Sequence, residues 1–121
     1  MKNQTYRMTM LFDFYGDLLT NRQKEFFDLY YNEDLSLSEI AENNGITRQG
    51  VRDVIVRAEN IMQEVEDKTG IVRRFQAQRP LLDSIESAAG EIRTINGLQY
   101  FDPKIAQLVD QILDAVQTLH D

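Results

Sequence analysis

Three polar side chains near the middle of the chain have the types and spacing needed to contact nucleic-acid bases. Arg48, Gln49 and Arg52 follow a glycine and fall in the first turns of a predicted helix. Arginine can form two hydrogen bonds with a guanine edge, glutamine can do so with an adenine edge, and a helix N-terminus favours a phosphate group. The candidate contact residues are Thr47, Arg48, Gln49, Gly50, Arg52, Asp53 and Arg57.

A helix-turn-helix would position those residues, and the segment LSLSEIAENNGITRQGVRDVIVRA (residues 35–58) predicts one. Its first helix is expected to end at Gly45, because glycine readily takes the left-handed conformation of a helix end. Ile46 is expected to plug the turn. The second helix then carries the candidate contact residues outward, as base-reading helices do. The residues expected to face inward are Ile40, Ala41, Val51 and Ile55.

The helices before this motif are predicted from apolar residues that recur every three or four positions. A first helix is expected over residues 6–19. Thr20 and Gln23 have the spacing of a capping box, which predicts a second helix that continues to about Tyr31. The buried stripe expected on the first helix is Met8, Leu11, Phe12, Tyr15, Leu18 and Leu19.

Both helices of the motif also carry cap signals. Ser36 and Glu39 repeat the capping-box spacing at the start of its first helix. Thr47 is expected to cap the second helix, which the apolar pattern extends to Lys68 before Gly70 closes it.

The aromatic residues of the first two helices suggest either a core or a base-stacking platform. Their helical spacing favours the core, because aromatic stripes at that period usually pack inward. The residues concerned are Phe12, Phe14, Tyr15, Phe26, Phe27, Tyr30 and Tyr31.

Two apolar stripes of helical period in residues 70–121 predict a helical hairpin. The first stripe ends at Asn96, and the second begins at Asp102-Pro103, with aspartate as the cap and proline in the first helical position. Pro80 interrupts the first stripe. Either that helix kinks at Pro80 or a separate helix begins there.

The second tail stripe is wider than one neighbouring helix can cover, which suggests a homodimer. Large exposed apolar patches are unusual on monomers, and two-fold dimers are the commonest way of covering them. The alternative is a monomer whose tail folds back over the N-terminal helices. The residues expected at the dimer interface are Ile105, Leu108, Val109, Ile112, Leu113 and Val116.

The expected fold is therefore all-α, with a helix-turn-helix module over residues 1–69 and a helical tail over residues 70–121 in one structural domain. A chain of 121 residues fits one domain of ordinary size. No apolar run approaches the ~20 residues of a membrane span, and the first residues do not resemble a signal peptide. A soluble, cytoplasmic protein without membrane contact is expected.

Composition excludes most catalytic and metal chemistry. The chain has no cysteine, which excludes a disulfide, a thiolate zinc site, an iron–sulfur cluster and a cysteine nucleophile. Its single histidine, His120, is expected to lie in a frayed end. A Ser-His-Asp triad or a multi-histidine metal site is therefore excluded, and we expect no catalytic residues, no cofactor, no metal and no enzyme.

Charge limits the kind of nucleic-acid binding that can be expected. The chain carries a formal net charge of −7, and residues 1–69 hold 8 basic and 13 acidic side chains. Broad electrostatic binding to phosphate is therefore not expected. The alternative function is a protein-interaction module that docks on another protein without base contacts.

The motif resembles region 4 of bacterial primary sigma factors. The shared features are a leucine-rich start, a glutamate–isoleucine pair, a glycine turn and the TR..VR sequence that begins the recognition helix. The likeness implies a sigma region 4-like module, and RNA polymerase is one protein on which it could dock.

Over its whole length the chain resembles the YlxM family of small bacterial helix-turn-helix proteins. The resemblance lies in the aromatic start MLFDFYGDLLTNRQKEFFDLYY, the motif and a two-helix tail. Because genes of that family lie beside the gene for the signal recognition particle GTPase, the resemblance implies a regulatory or accessory role in that pathway. The partners it implies are DNA, the particle's RNA or its GTPase.

Overall fold

A computed structural model describes residues 5–120, and every regular element within that range is helical. Helices α3 and α4 are the two helices of the motif, and α5 and α6 form the tail. The helices are α1 Thr5–Tyr15, α2 Asn21–Tyr31, α3 Leu37–Asn44, α4 Arg48–Thr69, α5 Ile71–Ile95 and α6 Pro103–His120, with a 3₁₀ turn at Gly16–Leu18 and a π turn at Asn96–Tyr100. None of the described helices is both long and apolar enough to cross a membrane.

The residues predicted to cap helices form the expected local hydrogen bonds. In α2 the Thr20 hydroxyl accepts from the Gln23 backbone N–H at 3.2 Å, and the Gln23 side chain accepts from the Thr20 N–H at 3.0 Å. Ser36 and Glu39 form the same reciprocal pair at the start of α3, with both distances 3.0 Å. Each box satisfies two backbone donors that the first turn leaves unpaired.

The described chain divides into two compact units, which we call the N-terminal unit, up to Val72, and the C-terminal unit, from Arg73. In the N-terminal unit α4 is the central helix, and α1, α2 and α3 all pack against it. Phe26, Phe27 and Ile55 are at most 1% exposed in that core. Fully burying one such side chain contributes about 1.5–3 kcal/mol to folding.

The aromatic residues of α1 and α2 form part of this core, as their spacing predicts. The rings of Phe12 and Phe27 stack with centroids 4.6 Å apart, and those of Phe27 and Tyr31 lie 4.5 Å apart. The Tyr31 hydroxyl donates to the Glu59 carboxylate of α4. Burial, together with this hydrogen bond, raises the pKa of Tyr31 above its ordinary value. Phe14 is the exception, because its side chain is 37% exposed.

A polar cluster ties the ends of three helices together within the N-terminal unit. The Tyr15 hydroxyl at the end of α1 donates to the Glu66 carboxylate at 2.6 Å, and the Val72 backbone N–H donates to the same carboxylate oxygen at 3.0 Å. Burial, reinforced by the bond to Glu66, raises the pKa of Tyr15. Glu66 therefore accepts donors from the end of α1 and the start of α5, and the Tyr15 hydroxyl also lies 2.8 Å from the Thr69 hydroxyl.

The start of the chain departs from the predicted pattern. Helix α1 ends at Tyr15 instead of continuing to Leu19, and the following 3₁₀ turn has three residues per turn instead of 3.6. The change of period turns Leu18 outward, where it is 60% exposed, although the sequence pattern predicts that it is buried.

In the C-terminal unit α5 and α6 form a hairpin, as predicted. Arg93 of α5 pairs with Asp110 of α6, and the Asn96 side chain bonds both the N–H and the carbonyl of Asp102 across the connection. The Asp102 carboxylate accepts from the Lys104 N–H at 2.8 Å, which confirms its predicted role as the cap of α6. Helix α5 continues through Pro80, so no separate helix begins there.

His120 is not in a frayed end. Helix α6 includes it, and its imidazole is only 17% exposed because it faces α5. Sequence periodicity could not reveal this, since the residue follows the last apolar position of its stripe.

Candidate nucleic-acid interface

The turn between α3 and α4 has the geometry that the sequence predicts. Gly45 has φ 66° and ψ 29°, which is the left-handed conformation, and its N–H bonds the Ala41 carbonyl. Ile46 then donates its N–H to the same carbonyl at 3.2 Å. These bonds pair a carbonyl that the end of α3 would leave free, and they direct the chain into α4.

The inward face of the motif holds α4 in place. Ile40, Val51 and Ile55 are 0% exposed, and Ala41 is 6% exposed. Since Val51 and Ile55 of α4 pack into the core, the opposite face of that helix points outward. All four therefore have the inward orientation that the sequence predicts.

The first turns of α4 present the candidate contact residues to solvent. Thr47, Arg48, Gln49, Arg52 and Asp53 are exposed, and Gly50 is partly exposed. Arg57 is also exposed, but it lies nine residues beyond Arg48, about 13 Å further along the helix axis. The structure thus brings most of the predicted set together at one helix end and places Arg57 at its far edge.

Two members of the set are bonded to each other. The Gln49 side-chain amide donates to the Asp53 carboxylate at 2.9 Å, one helical turn away. The bond uses one of the two amide N–H groups and holds the carboxamide in one orientation. Asp53 also adds a negative charge beside Arg52, which opposes non-specific attraction to phosphate.

Gly50 has a reason to be glycine within the motif itself. The Thr47 hydroxyl caps α4 by accepting from the Gly50 N–H at 2.9 Å. A Cβ at Gly50 would lie 3.1 Å from that hydroxyl oxygen, which is tighter than an ordinary contact. The absent side chain therefore makes room for the cap, in addition to any close approach of a ligand.

An open groove of about 720 Å³ continues the exposed face of α4 toward the start of α2. Asp53 and Arg57 line it, together with Arg22 and Asn60, which the sequence did not single out. Arg57 and Asn60 follow Asp53 at helical spacing, so the helical period of the sequence could have predicted that Asn60 lies on the same face. Arg22 could not be found in this way, because only the packing of α2 against α4 brings it there.

The residues predicted for a dimer interface have different environments on α6. Leu108 and Ile112 are 44% and 39% exposed, whereas Val109 and Val116 are 2% and 4% exposed. Ile105 and Leu113 are partly buried. The burial of Val109 and Val116 within the chain removes these two side chains from the surface that a second copy could contact.

Comparison with known proteins agrees with this architecture. The UPF0122 family, described as "Putative helix-turn-helix protein, YlxM / p13 like", matches residues 2–99, which include the whole motif. A UPF0122 protein of Thermoanaerobacter sp. (strain X514) is 41% identical over 113 residues, covering 93% of each chain.

Two further relatives carry the same family name. A UPF0122 protein of Bacillus thuringiensis (strain Al Hakam) is 36% identical over 119 residues, covering 98% of this chain and 99% of its own. One of Symbiobacterium thermophilum is 48% identical over 82 residues, covering 68% of this chain and 77% of its own. The matched family is the YlxM-like family that the sequence resembles. This chain belongs to the UPF0122 family of helix-turn-helix proteins.

Proposed function

We propose that the protein is a cytoplasmic nucleic-acid-binding regulator that reads bases with the N-terminal turns of α4. The observation that carries this proposal is the exposure of Arg48, Gln49 and Arg52 on a helix whose opposite face is buried in the core. A helix held in this way can enter a groove without disturbing the fold. The family's description as a helix-turn-helix supports the same conclusion.

The charge distribution favours selective binding over general binding. Residues 1–69 hold 8 basic and 13 acidic side chains, so most of the module's surface would repel nucleic-acid phosphates. Only three arginines, Arg48, Arg52 and Arg57, lie on the exposed face of α4. Neutralising three phosphates would give log affinity against log salt a slope of about −3.

The first prediction separates base contacts from phosphate contacts. Arg48→Ala and Gln49→Ala are each expected to cost about 1–3 kcal/mol of binding free energy on a preferred site and to relax base preference there. Arg52→Ala is expected to weaken all sequences alike if that guanidinium contacts phosphate. The measurement is selection from randomised duplex DNA and structured RNA at low salt, followed by titration of the selected ligands.

A matched control for this experiment is Arg74→Ala, which removes an exposed arginine in the C-terminal unit. It should leave both affinity and base preference unchanged. Equal, sequence-independent losses for Arg48→Ala, Gln49→Ala and Arg52→Ala would contradict base reading and leave only phosphate binding.

The acidic charge of the N-terminal unit also supports a second function, in which the helices dock on a protein. The resemblance to YlxM proteins suggests the GTPase of the signal recognition particle as the partner, and the sigma-like motif suggests RNA polymerase. The particle's RNA would instead be a ligand of the base-reading function. Capture from a cell lysate with and without nuclease distinguishes the classes. Partners that survive nuclease, with no binding to DNA or RNA at low salt, would favour the protein-docking function.

We further propose that the protein forms a homodimer through exposed apolar residues of the C-terminal unit. Leu108 and Ile112 lie on α6, and α5 exposes Ile85 and Ile92 at 47% and 46%. Large apolar side chains that stay exposed on both helices of a hairpin would favour an interaction surface if they form one contiguous patch. A second copy of the chain would cover them with a self-complementary patch.

The dimer makes a second prediction, testable by light scattering at micromolar concentration. Wild type is expected to have the mass of a dimer, and the double variant Leu108→Asp with Ile112→Asp that of a monomer, while circular dichroism shows unchanged helix content. Leu98→Asp is the control, because Leu98 is 73% exposed in the π turn, outside both helices. A monomeric wild type would rule out self-association through this face.

A further inference from the structure

The C-terminal unit places the only histidine of the chain beside two carboxylates. Nε2 of His120 lies 3.4 Å from the Asp83 carboxylate and 3.5 Å from that of Glu86. Asp83 and Glu86 are three residues apart, so they lie on one face of α5, and His120 approaches that face from α6. The ligand atoms of all three side chains lie within 4.8 Å of one another.

The histidine nitrogen is buried without a hydrogen-bond partner. Nε2 of His120 is buried and has no hydrogen-bond partner, although the Asp83 and Glu86 carboxylates both lie within ion-pair distance of it. Most buried side-chain nitrogen and oxygen atoms have a hydrogen-bond partner. The ring nitrogen is therefore held at a place where a ligand would satisfy it.

The spacing fits a metal ion better than a hydrogen bond. N–H···O bonds cluster at about 2.9–3.0 Å between heavy atoms. In a tetrahedral site with metal–ligand bonds of about 2.0–2.2 Å, the ligand atoms lie about 3.3–3.6 Å from each other. The two distances from Nε2, 3.4 and 3.5 Å, match that tetrahedron edge.

The surroundings divide into a fixed ligand and two adjustable ones. His120 lies in a small pocket that Phe75, Leu82 and Leu119 line together with the polar residues Gln78 and Arg79. The Asp83 and Glu86 side chains are 65% and 52% exposed, so they can shift toward a cation from the solvent side. Two carboxylates and a neutral imidazole would also balance the charge of a divalent ion.

We propose that His120, Asp83 and Glu86 form a binding site for a divalent transition-metal ion of the zinc type. One nitrogen and two oxygen ligands suit Zn²⁺, whereas Mg²⁺ prefers an all-oxygen shell. The fourth position opens to water. A bound ion ties the end of α6 to the middle of α5, and His120 lies beyond the residues that match the family description.

The test is titration of the full chain, carrying no histidine tag, with Zn²⁺ and with Co²⁺ as a spectroscopic substitute. One equivalent is expected to bind, and the Co²⁺ complex is expected to show the visible absorption of tetrahedral coordination. His120→Ala should weaken Zn²⁺ binding by about 100-fold or more, and Asp83→Asn and Glu86→Gln by about 10-fold or more each. Mg²⁺ should not compete.

Asp110→Asn is the matched control, because it removes a carboxylate of the same hairpin that pairs with Arg93. It should leave Zn²⁺ affinity unchanged. Circular dichroism checks that each variant folds. If His120→Ala does not fold, Asp83→Asn still tests the proposal, because Asp83 is exposed and its change should not disturb the fold. Binding that is absent, or equally weakened by Asp110→Asn, overturns the proposal.

Discussion

Ile55→Ala is expected to lower the free energy of unfolding of the N-terminal unit by about 2–5 kcal/mol, the range measured for such truncations in protein cores. Ile55 is 0% exposed, on the helix against which α1, α2 and α3 all pack. Removing three carbons there loses their transfer free energy and leaves a cavity that the surrounding helices cannot fully close. Few single substitutions in this unit should cost more.

The measurement is chemical denaturation followed by circular dichroism. Leu18→Ala is the control, since it shortens an apolar side chain that is 60% exposed in the same unit, and its cost should stay below about 1 kcal/mol. Similar losses for the two variants would show that α4 is not anchored by its buried face. The outward placement of Arg52, three residues before Ile55, would then lose its structural basis.

Gly45→Val should lower the stability of the same unit by about 1–3 kcal/mol. At φ 66° the backbone is left-handed, and a β-branched side chain is strained in that conformation. The strain is local to the backbone, because no heavy atom other than those of Gly45 and its two chain neighbours lies within 4 Å of the position a Cβ would take. The helix-turn-helix can persist only if this strain is tolerated or the turn rearranges.

Comparison with Gly45→Asn isolates the effect of backbone conformation, because asparagine adopts the left-handed region more readily than valine. Thermal unfolding should therefore rank wild type above the asparagine variant and that variant above the valine variant. Nucleic-acid titration of the valine variant reports whether the turn also sets the angle of α4. A valine variant that melts with wild type would show that the turn in solution does not use a positive φ.

Local signals in the sequence account for most helix boundaries. The capping boxes at Thr20 and Ser36 involve residues three positions apart, and Gly45 acts within its own turn. Such interactions need no partner from elsewhere in the chain, so they can be read from spacing alone. The same reasoning fails at Leu18, because a 3₁₀ turn changes the period on which the burial prediction depends.

The candidate interface was predictable to the extent that it lies on one helix. Arg48, Gln49 and Arg52 share a face of α4 because of helix periodicity. The spacing of the apolar residues predicts that the opposite face is buried. Arg22 lies in a different helix, and its place in the groove beside Arg57 depends on how α2 packs against α4.

The sequence by itself determined the helical class, the motif, its turn and the outward face of α4, since each rests on contacts within about four residues. Tertiary structure alone decided which residues far apart in the chain meet. His120 faces Asp83 across the hairpin, and Glu66 receives donors from both Tyr15 and Val72. Such contacts depend on the angle and register at which helices pack. Those are set by how side chains fit together in three dimensions, and the helical period of the sequence does not specify them.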